Sequence, residues 1–191
     1  MIFSSSIVVY NALRKENTET SRTQANSLYS TSKIACEQLL HTYKEYKNLN
    51  HIILRLGATI GPNLTHGLIK DVIRKLQSDN PVLELFNVEP GPYKPYTYIT
   101  DVLKGINLIL SCNKRSFCPS TFNLCNNDPI SVKEVAETIM KTLNIYKPIQ
   151  WLNNSWPGDC NLQGDNSLME FLDWNYMSSK EAIERCVNDI K

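Results

Sequence analysis

Glycine is scarce in this chain, with seven in 191 residues. Nowhere do they form the closely spaced glycine turn between strand and helix that lets a backbone approach a pyrophosphate, so a self-contained cradle of that kind is excluded. No Cys-x-x-Cys pair occurs among Cys36, Cys112, Cys118, Cys125, Cys160 and Cys186, and the histidines are scattered. Reduced structural thiols are therefore expected, and no metal site. Neither sign of charge is in excess: 20 basic and 19 acidic residues leave a net charge of +1. That balance argues against a nucleic acid or a membrane surface as partner. No apolar run is long enough to span a bilayer and no export signal is visible, so the expected location is cytoplasmic. Without export, the glycosylation-like triplets at Asn63 and Asn153 are read as chance.

What is present is an alternation of elements. An opening strand at Ile2 and Phe3 runs into Ser4, Ser5 and Ser6, and Ile7 and Val8 extend its pattern. A polar loop leads to a helix over about 29–46 that carries Ile34, Ala35, Leu39, Leu40 and Tyr43 at helical spacing. A buried strand follows at 52–56, then a helix with the stripe Leu68, Ile69, Val72, Ile73 and Leu76. Short strands are expected at 82–86, 96–99, 121–124 and 149–152. Asp101 is expected to cap the helix that runs to Leu110. The pairs Ser131/Glu134 and Ser178/Glu181 have capping-box spacing. Strands alternating with helices predict an α/β fold with a largely parallel sheet. The hydrophobic share of 42% allows a sizeable core.

The most informative pair is Tyr29 and Lys33, one helical turn apart. A free tyrosine is a poor base near neutrality. An ammonium four residues on, on the same helix face, favours the phenolate and so suits the pair to removing a proton from an alcohol. The same spacing recurs at Tyr43/Lys47 and Tyr176/Lys180, where a surface tyrosine near a lysine is the simpler reading. Only the first instance follows a strand that ends in a serine cluster.

With strand, serines, loop and Tyr-x-x-x-Lys helix in this order, the chain resembles the extended branch of the short-chain dehydrogenase/reductase superfamily. It is most similar to the NAD-dependent epimerase/dehydratase family acting on nucleotide sugars, and within it to UDP-glucose 4-epimerase-like members. The likeness continues through His51–Leu56 with the Gly61-Pro62 turn, the stretch Thr65-His66-Gly67-Leu68-Ile69, and Lys94-Pro95-Tyr96-Thr97-Tyr98-Ile99. It extends to Phe122-Asn123-Leu124, Pro157-Gly158-Asp159, Asp165-x-Ser167 and Leu172-x-Trp174. The family's opening strand, glycine-rich turn and helix are missing. The chain therefore resembles the C-terminal portion of an epimerase, truncated before its NAD-binding half. The division expected is 1–56 as the last part of a Rossmann-like domain and 57–191 as a smaller substrate lobe with returns to the main sheet.

The resemblance implies specific roles. Tyr29 would be the base, Lys33 would support it and hold the nicotinamide ribose, and Ser6 would hydrogen-bond the reacting oxygen. Ser5 and Gly57 would lie against NAD, and Ser6, Ala58, Lys94 and Asp159 would face a nucleotide-sugar substrate. Dehydratases of the family carry an Asp-Glu pair where this chain has Ile7 and Val8, which move no protons, so epimerisation or simple ketone/alcohol oxidoreduction is favoured over dehydration. Ala58 stands where family epimerases often have asparagine, and no arginine precedes Gly158-Asp159. Lys94 offers a point charge to a diphosphate without bidentate geometry. Three readings stay open: an epimerase inactive alone for want of the phosphate turn, a non-catalytic sugar-nucleotide-binding or interaction remnant, and a ketone/alcohol reductase. A homodimer is expected of the complete protein.

Overall fold

The computed structural model describes residues 1–10, 17–112, 119–154 and 163–190. Strand β1 (Ile2–Ser6) pairs in parallel with β2 (Ile52–Leu56), and β2 pairs in parallel with β6 (Thr121–Leu124). The helix α1 (Leu28–Lys47) makes the crossover from β1 to β2. Alternation along β2 divides the two faces of this sheet. Leu54 points with Phe122 and Leu124 into a cluster closed by Val102, Ile109, Met169 and Trp174. Those residues come from α3 (Ile99–Ser111) and from the region of α5 (Ser167–Glu170). Arg55 points to the opposite face, where it meets Glu37 of α1.

A second sheet has the order β3-β5-β7, from β3 (Ala58–Ile60), β5 (Tyr93–Tyr98) and β7 (Pro129–Ser131). A parallel two-strand ribbon joins β4 (Leu83–Leu85) to β8 (Ile149–Trp151). Over these lie α2 (Leu68–Leu76), α4 (Val132–Leu143) and α6 (Ser179–Ile190). The helices bury Ile69, Val72, Ile73, Val135, Ile139, Ile183 and Val187 in one cluster with Leu83 and Leu85. The predicted stripe of α2 is the buried one, and both capping boxes form, at Ser131/Glu134 and Ser178/Glu181.

Three local expectations are corrected. Ile7–Val9 form a 3-10 turn rather than more strand, because the Ser6 hydroxyl accepts the Val8 amide and starts a turn that buries Ile7 and Val9. Asp101 is not the cap of α3: its side chain is buried and accepts the amide of Met177 at 2.9 Å and the ammonium of Lys104 at 2.7 Å. It ties the start of α3 to the chain entering α6. Along α1, Ala35, Leu39 and Tyr43 face outward, and the buried residues are Ser30, Glu37 and Leu40. The helix is held to the sheet by polar groups as much as by its apolar spacing.

Candidate functional site

The strands of the first sheet end level with one another: Ser6 lies opposite Leu56, and Leu56 opposite Leu124. In open parallel sheets, ligands bind outside the carboxyl ends of the strands. The crossover brings the N-terminal turn of α1 to that end of β1, since α1 packs against both β1 and the 3-10 turn. Ser27 caps the helix, accepting the Ser30 amide at 3.1 Å, while the buried Ser30 hydroxyl accepts the Ser27 amide at 3.0 Å. This places Tyr29 and Lys33 on the first helical turns, beside the strand end.

Lys33 reaches back to the strand. Its Nζ donates to the carbonyl oxygen of Ser4 at 2.8 Å and lies 5.1 Å from the Phe3 ring centroid and 5.5 Å from the Tyr29 ring centroid. The Tyr29 ring is open on its other side, with 54% of the residue exposed. Ser6, two residues beyond Ser4, uses its hydroxyl on main chain: it donates to the Leu56 carbonyl and accepts the Val8 amide, each at 3.4 Å. The structure thus joins Tyr29, Lys33 and the serine strand, and the Ser6 hydroxyl does strand-end capping work.

The residues expected to meet NAD divide. The Ser5 hydroxyl is buried and donates to Glu37 Oε1 at 2.5 Å. The Gly57 amide donates to the Leu124 carbonyl at 3.3 Å, and a Cβ on Gly57 would stand 2.6 Å from the Cys125 Cβ. Both are committed to the protein's own packing. Lys33 and the exposed Tyr29 suit the ribose end of such a cofactor, whereas no glycine-rich turn cradles its pyrophosphate. Among the substrate-side residues, Ala58 is paired with Tyr96, and Lys94, two positions earlier on β5, shares the face of Tyr96. Both are half-buried, and Lys94 lies opposite Ile130. Asp159, like Trp156, Cys118 and Cys160, lies outside the described residues.

Sequence reasoning missed the group that holds α1 in place. Arg55 is buried in β2 and pairs with buried Glu37 through Nη2 to Oε2 at 2.7 Å and Nε to Oε1 at 3.1 Å. Its Nη1 donates to the Tyr10 hydroxyl at 2.8 Å and to the Glu19 carbonyl at 3.0 Å. Tyr10 in turn donates to Asn123 Oδ1 at 2.5 Å. Burial pushes the Tyr10 phenol up to about 12, despite the Arg55 guanidinium 4.8 Å from its ring centroid. Of the two tyrosines near the serines, Tyr10 is therefore a buried donor, and Tyr29 is the exposed one. Burial likewise raises the Glu19 carboxyl, which accepts the Asn123 amide. The signal for this group was an arginine inside a buried apolar strand, which requires a counterion, and a glutamate one helical turn beyond Lys33.

The comparisons bear on this arrangement. The model of the NAD dependent epimerase/dehydratase family matches residues 1–125. "Uncharacterized UDP-glucose epimerase YtcB" of Bacillus subtilis is 26% identical over 138 residues, covering 72% of this chain and 43% of its own length. "Uncharacterized protein MJ1055" of Methanocaldococcus jannaschii is 30% identical over 151 residues, covering 75% of this chain and 44% of its own. UDP-glucuronic acid 4-epimerase from Bacillus cereus, solved in complex with UDP-glucuronic acid and NAD, superposes with a TM-score of 0.82 at 22% identity. That match covers 99% of this chain and 60% of the other, so it speaks to the fold. The chain spans less than half the length of the curated relatives it matches. With a strand-end serine, a Tyr-Lys helix and a parallel sheet in the expected order, the chain belongs to the NAD-dependent epimerase/dehydratase family.

Proposed function

We propose that this chain supplies the proton-transfer residues and the substrate lobe of a nucleotide-sugar 4-epimerase, acting on a UDP-sugar. The observation that carries the reading is Lys33, which lies between the exposed Tyr29 ring and the backbone of the serine strand. In it, residues 1–56 form the catalytic edge of the nucleotide-binding part, and 57–191 the substrate lobe with β6 returned to the first sheet.

Tyr29 takes the proton from a sugar hydroxyl and later returns it, its phenolic oxygen reaching the substrate from the open side of the ring. Lys33 holds positive charge beside that oxygen and holds the ribose. Ser6 orients the reacting oxygen once its hydroxyl turns from the Leu56 carbonyl. Ala58 and Lys94 line the lobe, Lys94 with charge for the diphosphate, and Asp159 meets a ribose hydroxyl. Bound NAD would supply the hydride acceptor and donor for the carbon that bears the hydroxyl Tyr29 deprotonates, with its ribose held by Lys33. Ile7 and Val8 keep the site free of the acid and base a dehydration needs. A homodimer of the complete protein belongs to this reading.

A second reading, a sugar-nucleotide-binding module without turnover, is favoured for the chain by itself, because nothing in its sequence forms a glycine-rich phosphate turn. The test is to follow UDP-galactose formation from UDP-glucose with NAD, using the chain alone and the chain mixed with the part of the Bacillus cereus enzyme that it does not match. The chain alone is expected to bind UDP-glucose without turnover. The mixture is expected to epimerise, with loss of at least about a hundredfold in Tyr29→Phe. Turnover that survives Tyr29→Phe, or a chain that binds no UDP-sugar, refutes the reading.

A further inference from the structure

Two histidines that the proposed chemistry does not use meet between α1 and β2. Helix α1 is closed by Asn48, which takes the left-handed conformation (φ 52°) that asparagine tolerates, and the amides of Asn48 and Leu49 turn back to the Tyr43 carbonyl. The chain reverses there, and His51, at the entry to β2, comes to lie against His41 of the helix. Their ring centroids are 5.2 Å apart at 72°, an edge-to-face contact. His51 is buried; its Nδ1 lies 3.4 Å from the Leu49 carbonyl, and its Nε2 has no hydrogen-bond partner among the described residues. His41 is half-buried.

A proton on His41 finds little to balance it. The Arg55 guanidinium faces it from β2, and Lys44 lies on its own helix. The Glu37 carboxylate, one turn before His41, is already taken by Arg55 and Ser5. Glu45, one turn after it, is exposed, where water and salt screen it. From the side of β1, the Met1 ammonium donates to the Asn50 carbonyl, next to His51 in the chain. Burial, followed by His51, Arg55 and Lys44, holds the His41 imidazole below its ordinary 6.5, against the pull of Glu37.

We propose that His41 is a proton-operated latch for the last turns of α1: neutral, its ring packs on buried His51 and fixes those turns; protonated, it leaves that contact for water and they loosen. The opening stops at Glu37, because the Glu37–Arg55 pair holds the preceding turn, so Tyr29 and Lys33 keep their places. What changes is the surface that the end of α1 presents, where Tyr43 and Tyr46 are exposed. Between the depressed folded value and 6.5 the unfolded chain binds more protons than the folded one. The latch therefore contributes in full above 6.5 and is lost as pH falls through the folded value. It is independent of the catalytic assignment and is tested without substrate or cofactor.

The test is amide exchange by NMR in the full chain at about pH 7.5 and about pH 5, expressed as protection factors so that the intrinsic pH dependence of exchange cancels. The capping glutamates Glu134 and Glu181 titrate below 4.5, so the lower pH leaves them out of the comparison. Residues 42–47 are expected to lose at least about fivefold in protection on acidification, and residues 33–38 to change by less than about twofold. His41→Leu and His41→Gln have no proton to take, and each is expected to show the same protection over 42–47 at both pH values. His66→Gln, at the exposed histidine before α2, is expected to keep the full loss. The His41 ring resonances should titrate with a midpoint below 6.5. The proposal is overturned if acid leaves residues 42–47 equally protected, or protects them more, as a proton shared between His41 and the His51 Nε2 would. It is equally overturned if both His41 variants retain the loss, or if His66→Gln abolishes it.

Discussion

Replacing Glu37 by glutamine is the most direct probe of how α1 is held. Glu37 and Arg55 have side chains 3% and 6% exposed, and the carboxylate takes two bonds from the guanidinium and one from Ser5. Glutamine keeps the shape and one oxygen, but it faces Nη2 with an amide or leaves it without an acceptor. The guanidinium then stays buried with only the Tyr10 hydroxyl and the Glu19 carbonyl as neutral partners. Removing one member of a buried pair costs about 3–5 kcal/mol. For a chain of this size that lowers Tm by on the order of 10 °C. The assay is denaturant or thermal unfolding of Glu37→Gln beside the double variant Glu37→Leu/Arg55→Met. The double variant is expected to recover most of the loss, because replacing both charges by apolar groups is close to neutral. Since α1 carries Tyr29 and Lys33, Glu37→Gln should also raise amide exchange along its first turns. A loss below about 1 kcal/mol, or a double variant no better than the single, would refute the claim that this ion pair anchors the helix.

Other outcomes follow from the same contacts. Gly57→Ala drives a Cβ to 2.6 Å from the Cys125 Cβ, so stability should fall by about 1–3 kcal/mol in urea unfolding, and Cys125→Gly in the same chain should restore part of it. Amides and the hydroxyls of their capping boxes hold the Glu134 and Glu181 carboxyls below the ordinary 4.5. Their contribution is therefore complete above that value and is lost as pH falls through the depressed folded values, so unfolding midpoints should drop in that window and less steeply in Glu134→Gln. Burial pushes the Cys125 thiol up to about 12, so peptide mapping after treatment with a thiol reagent should find it unmodified until the chain is unfolded, while half-exposed Cys36 reacts in the folded protein.

Most elements were legible because their apolar residues recur at one period and their caps are local. The stripe of α2, the strand 52–56 and both capping boxes are of this kind. The expectation failed where a polar side chain had a choice of partners. Ser6 started a turn instead of prolonging a strand, and Asp101 left the end of its own helix for an amide 76 positions away. Along α1, apolar spacing drew attention to Leu39 and Tyr43, which face outward, while the buried contact is Glu37 with Arg55. An ion pair between a helix and a strand has no period, and only the arginine in a buried strand hinted at it.

For the candidate site, the order of serines, tyrosine and lysine along the chain pointed to the family that the family model matches, and the spacing put Tyr29 and Lys33 on one helix face, because a spacing of one helical turn is a property of the backbone alone. What the tertiary structure decided is how those groups are spent. It turned the Ser5 hydroxyl and Gly57 into packing, opened Tyr29 to the surface, and gave Lys33 to the Ser4 carbonyl. Those outcomes depend on which face of the sheet each residue meets, and this is fixed by contacts between segments far apart in the chain.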